Sequence, residues 1–237
     1  MSVLKRLFSD KIAVFCMVVI AAVVIVAIGA PVLAPHDPAE IDVTNKFAAM
    51  SAAYPLGTDQ LGRCMLSRMM YGARTTIFVS LYTMAITIFI GSVLGIISGF
   101  FRGWVDEVIM RICDIMLSFP SEVMILSIIG VLGIGMKNLV IATIIAKWAW
   151  YTRMIRSIVI QYNDKNYIRF SKVAGCSTCH IITKHILPAT LGEIAVLATL
   201  DVGGIILNIS AMSFLGLGVQ PPTAEWGMML NEAKTVL

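Results

Sequence analysis

Charge is what this sequence has least of. Of 237 residues 14% are charged, 58% are hydrophobic and the mean hydropathy is +0.88. Soluble domains carry about 25% charge, so the balance excludes a soluble enzyme and fits a polytopic membrane protein. Runs of Lys/Arg standing clear of apolar segments with stacking aromatics are missing, which excludes nucleic acid as a partner despite a formal net charge of +4. The chain has no G-x-x-x-x-G-K-[ST] phosphate loop, so it does not bind ATP by that device. It also lacks H-E-x-x-H and G-x-S-x-G, the usual signs of a zinc protease or a serine hydrolase. Cysteine is sparse: Cys16, Cys64, Cys113, Cys176 and Cys179. Cys16 sits in an apolar run and Cys64 stands alone on its side of the membrane, so no disulfide framework is implied.

Long apolar runs are present. A helix needs about 20 apolar residues to cross the hydrocarbon core. The uncharged run Ile12 to Ala34 qualifies, and so does Thr75 to Phe101. The first is too long for a signal-peptide core and no A-x-A-like site closes it, so it reads as a retained span. A third span is expected from Val108 to Leu132, interrupted by Arg111, Asp114, Pro120 and Glu122. A fourth runs from Leu139 to Ile160 with Lys147 inside, and a fifth from Leu191 to Val219 with Asp201 inside. The expected fold is an all-α polytopic transmembrane helix bundle with five spans. Residues 1–72 would hold the N-terminal end, the first span and an outer loop; residues 73–237 would form the core.

Lys/Arg asymmetry sets the orientation. Lys5, Arg6 and Lys11 place the N-terminus in the cytoplasm. The loop from Pro35 to Gly72, with three basic residues against four acids, then lies outside. The segment from Arg153 to His185, with six Lys/Arg against one acid, returns inside. This basic stretch between spans suits docking of a soluble partner.

Gly91, Gly95 and Gly99 repeat at four-residue spacing along one helix face, a pattern that lets another backbone approach closely. Asp201, Gly204, Asn208 and Met212 form a second stripe. An acid inside a span faces a bundle interior or a water-filled path. Two readings follow: Asp201, Asn208 and Met212 line a translocation path, or they bond one helix to another. Asp106, Glu107, Asp114 and Glu122 have no convergent base or metal ligand and read as helix-end solvation and partner contacts. Cys176-Ser177-Thr178-Cys179-His180 matches C-x-x-C-H, the c-type haem attachment pattern. Cys176, Cys179 and His180 share a helical face and could instead hold zinc, or be reduced thiols and an imidazole on a docking helix. The expected cytoplasmic side speaks against haem. None of His36, His180 and His185 falls inside an expected span, so a bare transition metal would find few imidazole or thiolate ligands there.

Three segments resemble one family. Tyr54-Pro55-Leu56-Gly57-Thr58-Asp59-Gln60-Leu61-Gly62-Arg63, with Ser67-Arg68 and Tyr71-Gly72-Ala73-Arg74, resembles the outer loop of the dipeptide/oligopeptide/nickel permeases of ABC importers. Gly103-Trp104-Val105-Asp106, Met110-Arg111, Asp114 and Phe119-Pro120 are similar to the same family. So is Ser213-Phe214-Leu215-Gly216-Leu217-Gly218-Val219-Gln220-Pro221-Pro222-Thr223. The resemblance covers the whole chain and fits the C-type subunit. It implies a second permease, two cytoplasmic ATPase subunits and an extracytoplasmic binding protein as partners, in a bacterial inner membrane. No cofactor is expected, and ATP hydrolysis falls to separate subunits.

In that family the cytoplasmic loop, here about residues 161–188, carries the EAA motif and forms a coupling helix on the ATPase. Gly175, Leu187 and Pro188 stand at the matching places, while Arg169-Phe170-Ser171 replaces Glu-Ala-Ala. Trp148-Ala149-Trp150-Tyr151, Met154-Ile155-Arg156-Ser157, Val196 to Asp201, Ala211-Met212-Ser213 and Thr223 to Gly227 look more like the nickel permeases than the peptide ones. The expected activity is passage of nickel or a nickel chelate by alternating access. The alternatives are di- or oligopeptide cargo, or a membrane metal or redox protein using Cys176, Cys179 and His180. The family's sixth span is not in this sequence, so a fragment is expected.

Overall fold

A computed structural model describes residues 8–234 and 236. The basic residues Lys5 and Arg6, on which the orientation partly rests, lie outside the described residues. Among those described there is no strand, only an isolated antiparallel bridge between Thr58 and Cys64. The helices are α1 (Lys11–Leu33), α2 (Met65–Phe101), α3 (Gly103–Leu117), α4 (Ser121–Leu132), α5 (Met136–Asn163), α6 (Asn166–Val173), α7 (Thr178–Ile181), α8 (Leu187–Phe214) and α9 (Trp226–Lys234). The fold is all-α, as the sequence leads one to expect.

Among the described residues three helical stretches are long and apolar enough to cross a membrane: Lys11–Leu33, Met65–Phe101 and Thr178–Phe214. The pair α3 and α4, bent by 85°, makes a fourth if taken as one broken span. The break has a local cause. Pro120 lacks a backbone N–H and disfavours helix at the residue before it, so the helix stops at Leu117 and restarts at Ser121. α5 is 28 residues long, ample to cross, yet Lys137, Lys147, Arg153 and Arg156 make it too polar to meet the same criterion.

The chain divides into two compact units, one running up to Val79 and including Ile209–Leu237, the other comprising Ser80–Asn208. In the first, α1 is apolar all round and buries only Ala27 and Ala30, as expected of a helix facing lipid. The loop between α1 and α2 is held by side chains rather than by sheet. Gly62 at φ +77° brings the backbone against Asp42, whose carbonyl a Cβ would approach to 1.7 Å. No other residue type fits that position. The same loop contributes to a quartet of largely buried charges. Asp59 accepts from Arg63 Nε at 2.7 Å and Arg68 Nη1 at 2.5 Å, and Glu232 of α9 accepts from the same two guanidiniums at 3.1 and 2.5 Å. Both arginine side chains are 2% exposed. Burial raises the Asp59 carboxyl, but the N–H groups of Leu61 and Arg63 and the two guanidiniums outweigh it, so its pKa stands below the ordinary carboxylate value. Glu225, fully buried, caps α9 by accepting from Met228 N at 2.9 Å and also receives the hydroxyls of Thr76 and Ser210 at 3.0 Å.

In the second unit α5 is the central post. Gly91, Gly95 and Gly99 of α2 lie directly on it. A Cβ at Gly91 would come within 2.5 Å of Tyr151 Cβ, at Gly95 within 2.8 Å of the Thr152 carbonyl, and at Gly99 within 2.9 Å of the Arg156 carbonyl. Helices in lipid gain little from hydrophobic segregation, so such close backbone approach supplies the packing energy. Ile96 and Phe100 of α2, Tyr151, Ile155 and Val159 of α5, Ile168 of α6 and Ile181, Ile186 and Ile194 of the last long helix form one buried cluster.

Candidate functional site

The cations that make α5 polar are answered by acids on neighbouring helices. Arg156 donates to both oxygens of Asp106 at 2.5 Å, and Ser98 also bonds Asp106. Arg153 pairs with Asp114. Asp106 and Asp114 therefore hold α3 to α5, where the sequence suggested solvated helix ends. Glu107 pairs only loosely with Arg111, at 3.8 Å on the surface.

Lys147 and Tyr151, four residues apart and so on one face of α5, both reach Asp201 of α8. Lys147 Nζ lies 3.5 Å from Asp201 Oδ2, and the Tyr151 hydroxyl donates to the same oxygen at 2.5 Å. Together they line a cavity of about 270 Å³ with Ala146, Trp150, and Leu117, Phe119 and Ser121 at the α3–α4 break. Lys147 and Asp201 fall near the middles of their 28-residue helices. Binding sites of membrane transporters favour that depth and the proximity of a broken helix. Asn208 and Met212 do not line this cavity. Met212 is buried, and the Asn208 Oδ1 atom is buried with no hydrogen-bond partner. The structure thus draws Asp201 out of its sequence stripe and joins it to Lys147, Tyr151 and Trp150, which the sequence reading did not group. The signal was present as Lys147 and Tyr151 at i, i+4 in an apolar run. Their convergence with a residue 50 positions beyond Tyr151 was not.

The basic loop is folded and anchored. α6 follows α5 after a two-residue turn and buries Ile168 in the isoleucine-rich cluster. Asn163, at the end of α5, donates to the carbonyls of Gly99 and Phe100, the open end of α2, at 3.3 and 3.1 Å. Lys172 of α6 donates to Asn163 Oδ1 at 2.7 Å and lies 4.8 Å from the centre of the Phe100 ring. Burial, and then the field of Arg102, lowers the Lys172 pKa. α6 is thereby joined to the end of α2 through Asn163 and Lys172.

Arg169, Phe170 and Ser171 sit on α6. Arg169 is exposed and makes a 3.5 Å pair with Asp164, whose carboxyl is held low mainly by Arg102. Phe170 is 74% exposed. Ser171 turns back on its own helix, donating to the Tyr167 carbonyl at 2.9 Å. Gly175 takes φ +80° and ends α6: its N–H reaches the Lys172 carbonyl and the Cys176 N–H reaches the Ser171 carbonyl, both at 3.1 Å. That is the glycine-terminated helix end in which a left-handed residue satisfies the last carbonyls. Leu187 and Pro188 do not close a loop, as the sequence suggested; they lie inside the continuous stretch Thr178–Phe214. Pro188 offers no N–H to the Lys184 carbonyl, and the turn before it, Ile182–Ile186, widens to π geometry with Leu187 N–H reaching the Ile182 carbonyl.

Cys176 and Cys179 are exposed, unpaired thiols, and the His180 ring stands edge-on to His185 at 5.8 Å. Among the described residues no group of three or more His, Cys, Asp or Glu side chains stands close enough to hold a metal ion.

Comparison with known proteins identifies the frame around these features. Residues 91–237 match the binding-protein-dependent transport system inner membrane component family, and residues 2–51 match the N-terminal transmembrane domain of oligopeptide transport permease C. The chain is 46% identical over its full length to the metal-staphylopine import system permease protein CntC of Staphylococcus aureus, covering 82% of that protein. It is 36% identical to the nickel transport system permease protein NikC of Escherichia coli, over 92% of this chain and 79% of that protein. It is 37% identical to the dipeptide transport system permease protein DppC of Alkalihalophilus pseudofirmus, over 97% of this chain and 76% of that one. The polar loop tied to α2, the charged cavity beside a broken helix and these matches converge: this chain belongs to the binding-protein-dependent inner-membrane component family, as a C-type permease of the dipeptide/oligopeptide/nickel ABC importers.

Proposed function

We propose that the chain is one of two permeases of an importer that carries nickel, as a chelate, across the bacterial inner membrane by alternating access. The observation that carries this reading is the cavity at Asp201. It offers charge of both signs near mid-helix, without the imidazole or thiolate set that would strip and retain a transition metal. The relatives whose names specify metal-staphylopine and nickel point the same way.

The assembly would add a second permease, two cytoplasmic ATPases and an extracytoplasmic binding protein, with the N-terminus of this chain in the cytoplasm. α5 would serve as a further span, its cations shielded by Asp106, Asp114 and Asp201, giving five in this sequence. Arg169 and Phe170 present α6 to the ATPase, and Gly175 fixes where the helix ends. Closure and opening of the ATPases would move α6. The Asn163 and Lys172 contacts and the Ile168 cluster would pass that movement to α2 and α5. ATP turnover then biases the spans between outward and inward forms, each with its own cargo affinity.

Uptake of labelled nickel and labelled dipeptide in a strain deleted for this chain tests the reading. Loss of nickel uptake, restored by the gene, is expected. Loss confined to dipeptide would transfer the function to peptide import. Purification in mild detergent should bring down a second permease and the ATPases; recovery of the chain alone would count against the assembly.

A further inference from the structure

We propose that the cavity lined by Lys147, Trp150, Tyr151 and Asp201 recognises the organic part of the cargo, selecting chelates that keep a free carboxylate. Lys147 takes the carboxylate, and Asp201, oriented by Tyr151, takes the amine N–H donors around the metal. This rests on the nickel reading above and goes further, because it names the recognised group and the residues that recognise it.

The donor set argues against a bare ion. Lys147, Ser121, Trp150, Tyr151 and Asp201 are the lining residues with polar side-chain atoms, and the one carboxylate among them already faces an ammonium 3.5 Å away. A dication entering there would meet that ammonium as well as the acid. A molecule bearing both a carboxylate and polarised N–H groups meets the opposite conditions. It can exchange the internal Lys147–Asp201 pair for two external contacts, so no charge is left unpartnered at any stage. Leaving one partner of a shielded pair alone is the costly event. The exchange also keeps binding weak, which passage requires.

The local geometry leaves room for it. Both contacts to Asp201 fall on Oδ2, and a carboxylate offers about four acceptor positions. Lys147 has three donors, and the pair is 19% and 24% exposed, so neither group is locked away. Trp150 and Phe119 supply apolar wall for the carbon skeleton. At about 270 Å³ the cavity stands just below the usual range of small-molecule sites, so it suits a compact chelate. Glu122, exposed at the start of α4 and bonded to Ser121 at 2.9 Å, also lies in the field of Lys147 but is not part of the lining.

The test uses the complete importer and two probes that differ at one group: labelled nickel with glycylglycyl-L-histidine, which binds the metal through amine, amide and imidazole nitrogens and keeps its carboxylate free, and labelled nickel with the C-terminal amide of the same peptide. Lys147→Met should lower uptake of the carboxylate complex about tenfold, and of the amide complex by less than about threefold, the difference expected for one charge-assisted hydrogen bond. Lys147→Arg should restore the preference. Uptake of the amide complex serves as the check that the variant is folded and assembled. Equal losses of the two complexes, or no loss of either, would overturn the proposal while leaving nickel import standing. Failure of the wild-type importer to take up either complex would overturn the nickel reading, and this one with it.

Discussion

Two charge clusters, one in each compact unit, use the same chemistry to opposite ends. Asp59, Arg63, Arg68 and Glu232 form a closed quartet in which each guanidinium meets two carboxylates and the arginines are almost wholly buried. Lys147, Asp201 and Tyr151 form an open trio at the wall of a cavity, with one contact at 3.5 Å and both charged groups partly accessible. The quartet ties the α1–α2 loop to α9, with each of its four groups paired inside it. On the proposal above, the trio exchanges partners with the cargo. A buried pair is costly to break and so serves as structure; an accessible pair with spare hydrogen-bonding capacity can serve as a site.

The sharpest way to break this comparison is to remove one cation from each. Arg68→Met should destabilise the chain by about 3–5 kcal/mol, because Asp59 and Glu232 would each lose a buried partner. Lys147→Met should cost under about 1 kcal/mol, since Asp201 keeps Tyr151 and solvent access. Thermal unfolding in one detergent measures both. Equal shifts would mean that the trio is structural too.

Next in size is the glycine stripe. Gly95→Leu places a side chain where the Thr152 carbonyl lies 2.8 Å from a bare Cβ. Overpacking of this kind costs about 1–3 kcal/mol, read as a fall in melting temperature and loss of uptake together.

A smaller effect on stability, with a large one on function, is expected on α6. Phe170→Ala removes an exposed ring and should change stability by less than about 0.5 kcal/mol. Uptake should nevertheless fall while ATP hydrolysis in the assembled importer persists. Retained uptake would show that this face of α6 does not meet the ATPase.

The smallest expected effect concerns pH. The Asp59 carboxyl is held below its ordinary value of 3.8. Its contribution is fully present above that value and is lost as pH falls through the lower, folded-state value. Melting temperature should therefore be insensitive to Asp59 near neutral pH and fall only in strong acid, with a shallower acid limb in Asp59→Asn. A transition centred at pH 6 would point to another group.

Much of the architecture was legible in the sequence because membrane insertion is governed by local composition. α1, the apolar part of α2 and α8 are runs of sufficient length, and each helix satisfies its own backbone bonds without help from neighbours. The glycine spacing and the helix-ending Gly175 are equally local: one depends on a four-residue period, the other on a positive φ. The site was less legible because it depends on what lies opposite. Lys147 in an apolar run looks like a flaw until Asp201 is placed beside it, and Arg63 and Arg68 look like loop charges until α9 brings Glu232. Leu187 and Pro188 illustrate the reverse. The motif suggested the close of a loop, but a π turn absorbs the missing N–H and lets the helix continue.

The sequence by itself therefore determined that the chain is helical, suited to a membrane and interrupted by a basic segment, because those properties follow from composition and short-range spacing. Tertiary structure alone decided which charges are neutralised within the fold and which remain exchangeable. That choice depends on distances between residues far apart in the chain, and on how much water each pair can still reach.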